Sequence, residues 1–521
     1  MTTTMVKRGG LVLLPLVAGL CAAFPAQAAW DFTPLAAARV TWSDNMTLAQ
    51  DDRAESGFVM EVSPGFQLSN RSQRFDLDLT YSLRQYKYFG TKPNNAQSRS
   101  QDLNGSLKSR LLEDMLFLDA NAQVHQQAVS AFGPLASGNG YVRDNQNEVR
   151  SISISPYLRH RFGAFANGEL RYIYDTVSSD NIGYQRSDGN TVRALLSSGP
   201  SFRRVGWNAS LMRAVYDQDI LGPKGVEAQT SSTKTANLEL NYAATQQLNI
   251  GVFGGYDDFD FSGLGGAQGG AAYGANVNWA PSARTSLSAS AGHRFYGPSY
   301  SLALAHRSRS TSWNITYSDS VSSSRNQFVL PQALDTASML DNLFRAQISD
   351  PVLRAAAVQA YIRATGLPPS LNTSINFLSN RYSLQKQLIA SAGWQMARST
   401  AVLSLTKARR EMLSSQAFDN VLLGNSLSTL NDNTDQVGLT ASYSYKLGPR
   451  SVASVSASAL NAKSLSGDLS NNYRNLRFSL TRSFGARFNG VLEARHVRGS
   501  RGLGSDQYTE NAVTATLSAK F

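Results

Sequence analysis

The five histidines, His125, His160, His293, His306 and His496, come first, because imidazole serves both acid/base catalysis and metal ligation. None is spaced H-x-x-x-H, and no G-x-S-x-G elbow accompanies them. His125 and Asp119 share one face of an alternating segment and could act as an acid/base pair, but a solvated polar pair is the simpler reading. Cys21 is the single cysteine and falls in an N-terminal leader, which excludes disulfides, thiolate catalysis and Cys-metal sites from the exported chain. The run Gly263 to Gly270 lacks a following Lys-Ser/Thr and reads as a loop, not a phosphate cradle. No catalytic residue, cofactor or metal is expected.

What remains is electrostatic. Arg84, Arg159, Arg161, Arg171, Arg294, Arg477 and Arg495, with Asp76, Asp78, Glu169 and Glu493, sit opposite apolar positions in alternating segments. If the apolar row faces lipid, this row faces a wet lumen, so these residues are the candidate pore lining. Lys+Arg number 49 against 37 Asp+Glu, a formal charge of +12, which favours anionic partners such as polysaccharide or lipopolysaccharide phosphate.

The elements that position these charges begin with an export leader. Met1 to Ala28 has a basic start (Lys7, Arg8), an apolar core from Leu11 to Phe24, and the small triplet Ala26-Gln27-Ala28. Pro15 and Pro25 argue against a buried helix there. Leu20 before Cys21 departs from the small residue that lipoprotein signals require. No later run of about 18 apolar residues follows, so a helical membrane protein is excluded. The chain is therefore periplasmic, secreted or a barrel.

Period-two alternation marks strands with one apolar and one polar face, which a barrel or a soluble sandwich could use; the number of such segments favours the barrel. Phe75, Leu77, Leu79, Tyr81 and Leu83 oppose Asp76, Asp78, Thr80, Ser82 and Arg84; Ile152, Ile154, Pro156 and Leu158 oppose Ser151, Ser153, Ser155, Tyr157, Arg159 and Arg161. The same pattern recurs at Leu238, Leu240 and Tyr242, at Val437 to Tyr445, and at Leu476, Phe478 and Leu480. At the end of the chain, Val513, Ala515, Leu517, Ala519 and Phe521 resemble the carboxy-terminal assembly signal of bacterial outer-membrane barrels. A mean hydropathy of −0.26 beside 23 Phe and 21 Tyr fits an apolar belt averaged with a polar lumen.

Connections alternate in length. Tight turns are expected at Asn70 to Gln73, Glu113-Asp114, Gly163, Arg203 to Gly206, Ala280 to Ala283, Gly448-Pro449 and Gly485-Ala486. Long loops are expected at Ala131 to Asn145, Asp217 to Thr230, Phe259 to Gly270 and Asn461 to Asn472. The expectation is an all-β, transmembrane, up-and-down antiparallel β-barrel of roughly 22 strands over residues 29–521, with periplasmic turns, extracellular loops and both termini periplasmic. Strand-end aromatics (Tyr86, Tyr88, Phe89, Tyr172, Tyr174, Phe295, Tyr296, Tyr443, Tyr445) are expected at the lipid headgroups.

One stretch breaks the alternation. Pro331 to Asn376 reads as two helices, one carrying Leu340, Phe344 and Ile348 on a face, the other Leu353, Ala357 and Tyr361. Asp350 suits its N-cap, Pro351 the first turn, Arg363 the last turn and Gly366 the stop. Such helices cannot join a strand ladder, so they lie inside the lumen or outside the wall as plug, cap or docking element.

RVTWSDNMTLA, with Ser43-Asp44-Asn45, and SGFVMEVSPGFQLSNRSQRFDLDLTYSLRQYKYF, with Ser63-Pro64-Gly65, resemble the start of PEP-CTERM-system-associated outer-membrane barrels, near the exopolysaccharide-locus barrel porins. The insertion followed by SNRYSLQKQLIASAGW extends the resemblance over most of the chain. It implies an outer-membrane protein working with polysaccharide export, and carries over no catalytic residue. The expected function is a porin or export channel; a structural or assembly partner of an export machine and a barrel hydrolase are the alternatives. Expected partners are outer-membrane lipids, the barrel assembly machinery, anionic polysaccharide and a periplasmic export component, with no nucleic acid.

Overall fold

A computed structural model describes residues 30–90, 96–135, 142, 145–180, 186–222, 225–261, 267–323, 325, 340–341, 343–345, 354, 357–358, 361–362, 377, 379, 381–413, 433–485, 487–500 and 507–521. The leader with Cys21, and Ile348, Asp350, Pro351, Leu353, Arg363 and Gly366 of the insertion, lie outside the described residues.

The first strands are β1 (Trp30–Ser43), β2 (Gly57–Arg71), β3 (Phe75–Gly90), β4 (Arg99–Leu112), β5 (Leu116–Ala128), β6 (Gln146–Phe162), β7 (Ala166–Ser179) and β8 (Arg186–Ser198). Then come β9 (Val205–Gly222), β10 (Gly225–Ala243), β11 (Leu248–Asp260), β12 (Ala267–Ser282), β13 (Thr285–Arg294), β14 (Gly297–Arg307) and β15 (Thr311–Ser322). The rest are β16 (Ser383–Gln395), β17 (Ser399–Met412), β18 (Thr434–Gly448), β19 (Ser451–Ser464), β20 (Ser470–Ser483), β21 (Phe488–Ser500) and β22 (Gln507–Lys520). All belong to one 22-stranded sheet, and β22 pairs with β1 from Ser43↔Ala512 to Leu35↔Lys520. The sheet is closed, so no strand edge is left unpaired.

Alternation sets which face meets lipid. Register links Val455, Phe478, Ala494, Val513, Trp42, Phe58 and Phe89 into one row across β19–β22 and β1–β3. Its large members are exposed, from 37 % at Trp42 to 49 % at Phe58 and Phe478. A continuous exposed apolar row on the outer face of a closed sheet is part of a lipid-facing belt. Phe478, at 49 % exposed, lies at the centre of this belt on β20, between Leu476 and Leu480. Phe478→Arg is expected to destabilise the barrel by roughly 2 to 4 kcal/mol, read as a lowered urea midpoint in detergent; an unchanged midpoint would remove the position from the lipid face.

On β22, Val513, Ala515, Leu517 and Ala519 face outward beside Trp42, Val40, Ala38 and Ala36 of β1. Phe521 follows, its ring 6.4 Å from Phe488 and its N–H donating to the Pro34 carbonyl at 3.0 Å.

Even-to-odd connections are short turns at the end that holds both β1's start and β22's finish; Gly163 (φ +60°) and Gly485 (φ +138°) serve two of them. The insertion joins β15 to β16 on the opposite, long-loop side, which is the extracellular side of a bacterial barrel. Three expected loops are shorter than read from sequence. Asp217 and Thr230 are register partners in a β9–β10 ladder that continues to Gly222↔Gly225, and the Thr230 hydroxyl donates to Asp217 Oδ1 at 2.6 Å. Likewise Asp260 pairs with Ala267, and Asn461 with Asn472. These polar ends stay in the ladder because, outside lipid, a strand needs backbone partners but no apolar face.

The girdle expectation also needs correction. Phe89, Tyr172, Tyr443 and Tyr445 are exposed on the outer face, but Tyr86 and Tyr88 fall on the even, inward positions of β3, and Tyr86 is buried. Phe295 and Tyr296 form the β13–β14 turn.

Candidate functional site: the lumen and its inturned loops

Ser43-Asp44-Asn45 closes the barrel seam. The Ser43 hydroxyl donates to Glu510 Oε1 at 2.9 Å, and both Asp44 oxygens accept from Asn511, from its backbone N–H and its side-chain amide, at 2.7 Å. Asn45 is fully buried; its amide donates to the carbonyls of Thr509 (3.0 Å) and Ala49 (2.8 Å) and accepts from the Ala49 N–H (2.8 Å). The motif thereby ties β1 to β22 and turns the following loop inward. Met46 and Leu48 then bury against Tyr86, Val142, Ala408, Leu460, Tyr473, Val497 and Tyr508. Ala408, Leu460, Tyr473 and Val497 are inward positions of β17 and β19–β21, so this cluster lies within the barrel. Ala131 and Phe132, from the β5–β6 connection, reach Phe377 and Ala462, and the Asn471 amide donates to the Ala131 carbonyl at 3.0 Å.

The described part of the insertion is also internal. Leu340, Leu343, Phe344, Val358 and Tyr361 pack with Val402, whose neighbours Leu403 and Leu405 face outward. Phe344 and Tyr361 meet edge to face at 5.9 Å, so the two helical segments pack on each other as well as on the wall. Tyr361 donates to the Thr400 carbonyl at 3.4 Å, and a Cβ on Gly393 would sit 2.8 Å from Leu343. Thr400 and Gly393 lie close to the short-turn ends of β17 and β16, so the insertion reaches deep into the barrel. At its margins Arg325 pairs with Asp175 and lies 4.2 Å over Tyr216, and Arg410 lies 4.3 Å over Phe377. Tyr382 hydrogen-bonds Ser231 at 2.6 Å.

The helical segments are further linked by Asp341, which accepts from Arg354 Nε (2.6 Å) and Arg345 (3.1 Å). Burial alone would raise the Asp341 carboxyl, but hydrogen bonds from Arg354 and then Arg345 outweigh it and hold the group below its ordinary value. A depressed carboxylate contributes stability above its unfolded pKa, about 3.9, and loses it as pH falls through the lowered value. Conductance set by the insertion is therefore expected to stay level from neutrality down to about pH 4 and to rise only below it. In Asp341→Asn it is expected to be raised already at neutral pH; a flat acid response in both proteins would show that the link does not hold the insertion.

The charged candidates divide into three places. On β3, Asp76, Asp78 and Arg84 all point inward, and Arg84 pairs with Asp102 (3.4 Å) and Glu61 (3.9 Å). On β20–β21, Arg477, Glu493 and Arg495 form a nearly buried cluster with Arg39 and Glu510, in which Arg495 and Glu510 approach to 3.1 Å. Arg477, 11 % exposed and paired with Glu493 at 3.5 Å, is therefore a structural ion held by its neighbours on the wall. The third group lines a cavity of about 1030 Å³ against β6–β13, where Arg159, Arg161, Glu169 and Arg294 meet Arg193, Glu239, Asn208, Asn237, Asn276 and Phe253. Arg159 and Arg171 both bond Glu169 at 2.9 Å, and Arg294 bonds buried Asp257 at 2.7 Å. Arg171 also bonds Asp119 at 3.0 Å, so Asp119 is an arginine partner here.

Arg39, Arg193, Glu239, Asp257 and Glu510 were missed as site residues although the same alternation places them inward. Met46, Leu48 and Phe132 had no periodic signal to reveal them.

Fold and interior together define a class: a closed transmembrane barrel of outer-membrane type whose lumen is partly filled by its own loops. Among solved structures, the FrpB iron transporter of Neisseria meningitidis (F5-1 variant) is similar at TM-score 0.52 and 10 % identity, over 94 % of this chain and 83 % of that one. Its F3-3 variant gives 0.51 and 9 %, over 94 % and 82 %. At such identity the likeness is one of fold. No protein-family model and no curated protein matches the chain.

Proposed function

We propose that this protein is an outer-membrane channel for an anionic, polyhydroxylated chain, serving exopolysaccharide export, with the insertion and inturned loops as its internal plug. One observation carries the reading: the cavity is walled by arginines interspersed with asparagine, serine and glutamate. Guanidinium groups attract carboxylates and hydrogen-bond them in pairs, while amides and hydroxyls exchange partners with sugar hydroxyls at small net cost. The electrostatic surplus favours anions entering a water-filled lumen. The proposed setting is the PEP-CTERM-type exopolysaccharide locus that the sequence resembles, with a periplasmic export component feeding the short-turn side. Lipids and the barrel assembly machinery are the further proposed partners, and no enzymatic role is proposed.

Arg159→Gln/Arg161→Gln tests the reading in planar bilayers. The reversal potential under a salt gradient is expected to move toward cation selectivity, because these residues line the cavity and both are exposed there. An unchanged reversal potential would take the cavity off the conduction path.

A further inference from the structure

Phe253 faces inward on β11, beside Glu239 on β10 and Gly274 on β12, and Gly274 in turn pairs with Gly292 on β13. A Cβ on Gly274 or Gly292 would sit 2.6 or 2.8 Å from Phe253 Cζ, so the ring lies along the wall in a slot that two glycines open. Glycine inside a strand weakens it and often marks a close approach, here that of an aromatic face laid across two neighbouring strands. The cavity's other aromatic is differently placed. Phe117 stacks on Tyr157 at 5.0 Å and 12°, and the Arg159 guanidinium lies 5.3 Å from it. Among the described residues no ring or cation packs on Phe253, although it lines the cavity.

Around that ring stand planar polar groups. Glu239 accepts from the Asn276 amide at 2.6 Å and from the Asn208 amide at 3.4 Å, which leaves carboxylate lone pairs for another donor. Arg294 and Ser290 line the same cavity. An apolar ligand would need continuous apolar walls. A pyranose matches better, since it offers one face of C–H bonds to a ring and a belt of hydroxyls to carboxylate and amide groups.

We propose that Phe253 is the stacking platform of a pyranose-binding subsite in the cavity, with Glu239, Asn208 and Asn276 taking the sugar hydroxyls. The inference rests on the polysaccharide reading and sharpens it, because stacking acts on the sugar ring whatever its charge. The subsite therefore holds a neutral residue as well as a uronate.

The test uses the full barrel in lipid nanodiscs, with cellohexaose as neutral probe and a hexauronate as anionic probe, by calorimetry and saturation-transfer NMR. Wild type is expected to bind both, with saturation passing from aromatic protons to the sugar C–H face. Phe253→Ala is expected to weaken cellohexaose about tenfold, and Phe253→Trp to restore it. Cellohexaose binding that is equal in wild type and Phe253→Ala, or that shows no transfer from aromatic protons in wild type, overturns the platform while hexauronate binding keeps the channel reading. Failure of wild type to bind either sugar overturns the channel reading itself.

Discussion

Replacing residues 331–376 with a short Gly/Ser linker is expected to leave the barrel inserted and heat-modifiable while raising its single-channel conductance several-fold. The wall survives because β15, β16, β17 and β18 hold one another through their own ladders, from Ser322↔Ser383 to Arg410↔Thr434, and none of those bonds involves the insertion. Conductance rises because the deletion removes the residues that fill the lumen beside Val402, Thr400 and Gly393. It stops short of a bare 22-strand pore, since Met46, Leu48 and Phe132 remain packed inside from other loops. A wide barrel leaks unless something occupies it, which is the physical reason to expect a plug at this strand number. Unchanged conductance together with lost binding to an export component would make the insertion a docking module.

Arg495→Met is expected to destabilise the barrel by about 3 to 5 kcal/mol, because removing one member of a buried ion pair strands the other. The Arg495 side chain is 1 % exposed and Glu510 is 0 % exposed, and Glu510 also accepts from Ser43, so the stranded charge would lie at the β1–β22 seam. The double change Arg495→Met/Glu510→Gln is expected to recover most of the loss, since no unpaired charge is left. Urea unfolding in detergent, followed by tryptophan emission, distinguishes the cases. A single variant within about 1 kcal/mol of wild type would show that water reaches this cluster and screens it.

Much of this architecture was legible because a closed barrel writes its geometry into a period of two. The alternation at Leu476 to Leu480 against Arg477, and the alternating lengths of the connections, were enough for an up-and-down barrel of roughly 22 strands. The interior was less legible. Arg477 and Arg159 read alike from sequence, as arginines between outward apolar residues. Only the cross-strand register makes the first a nearly buried member of an ion cluster with Glu493, Arg495 and Arg39, and the second a cavity wall. Tyr86 and Tyr88 were assigned to the headgroups by their position at a strand end, but parity governs direction and turns them inward. Polar hairpin ends such as Asp217 to Thr230 look like loops because, above the membrane, strand pairing leaves no hydrophobic trace.

On the proposed function, the arginine-walled cavity lies on the path of an anionic glycan. The most direct measurement is the current through the barrel lacking residues 331–376, recorded across a planar bilayer with hexauronate on the short-turn side. Anion selectivity is expected, with voltage-dependent current blocks that disappear in Arg159→Gln/Arg161→Gln. Cation selectivity, or a current that hexauronate leaves unblocked, would contradict it.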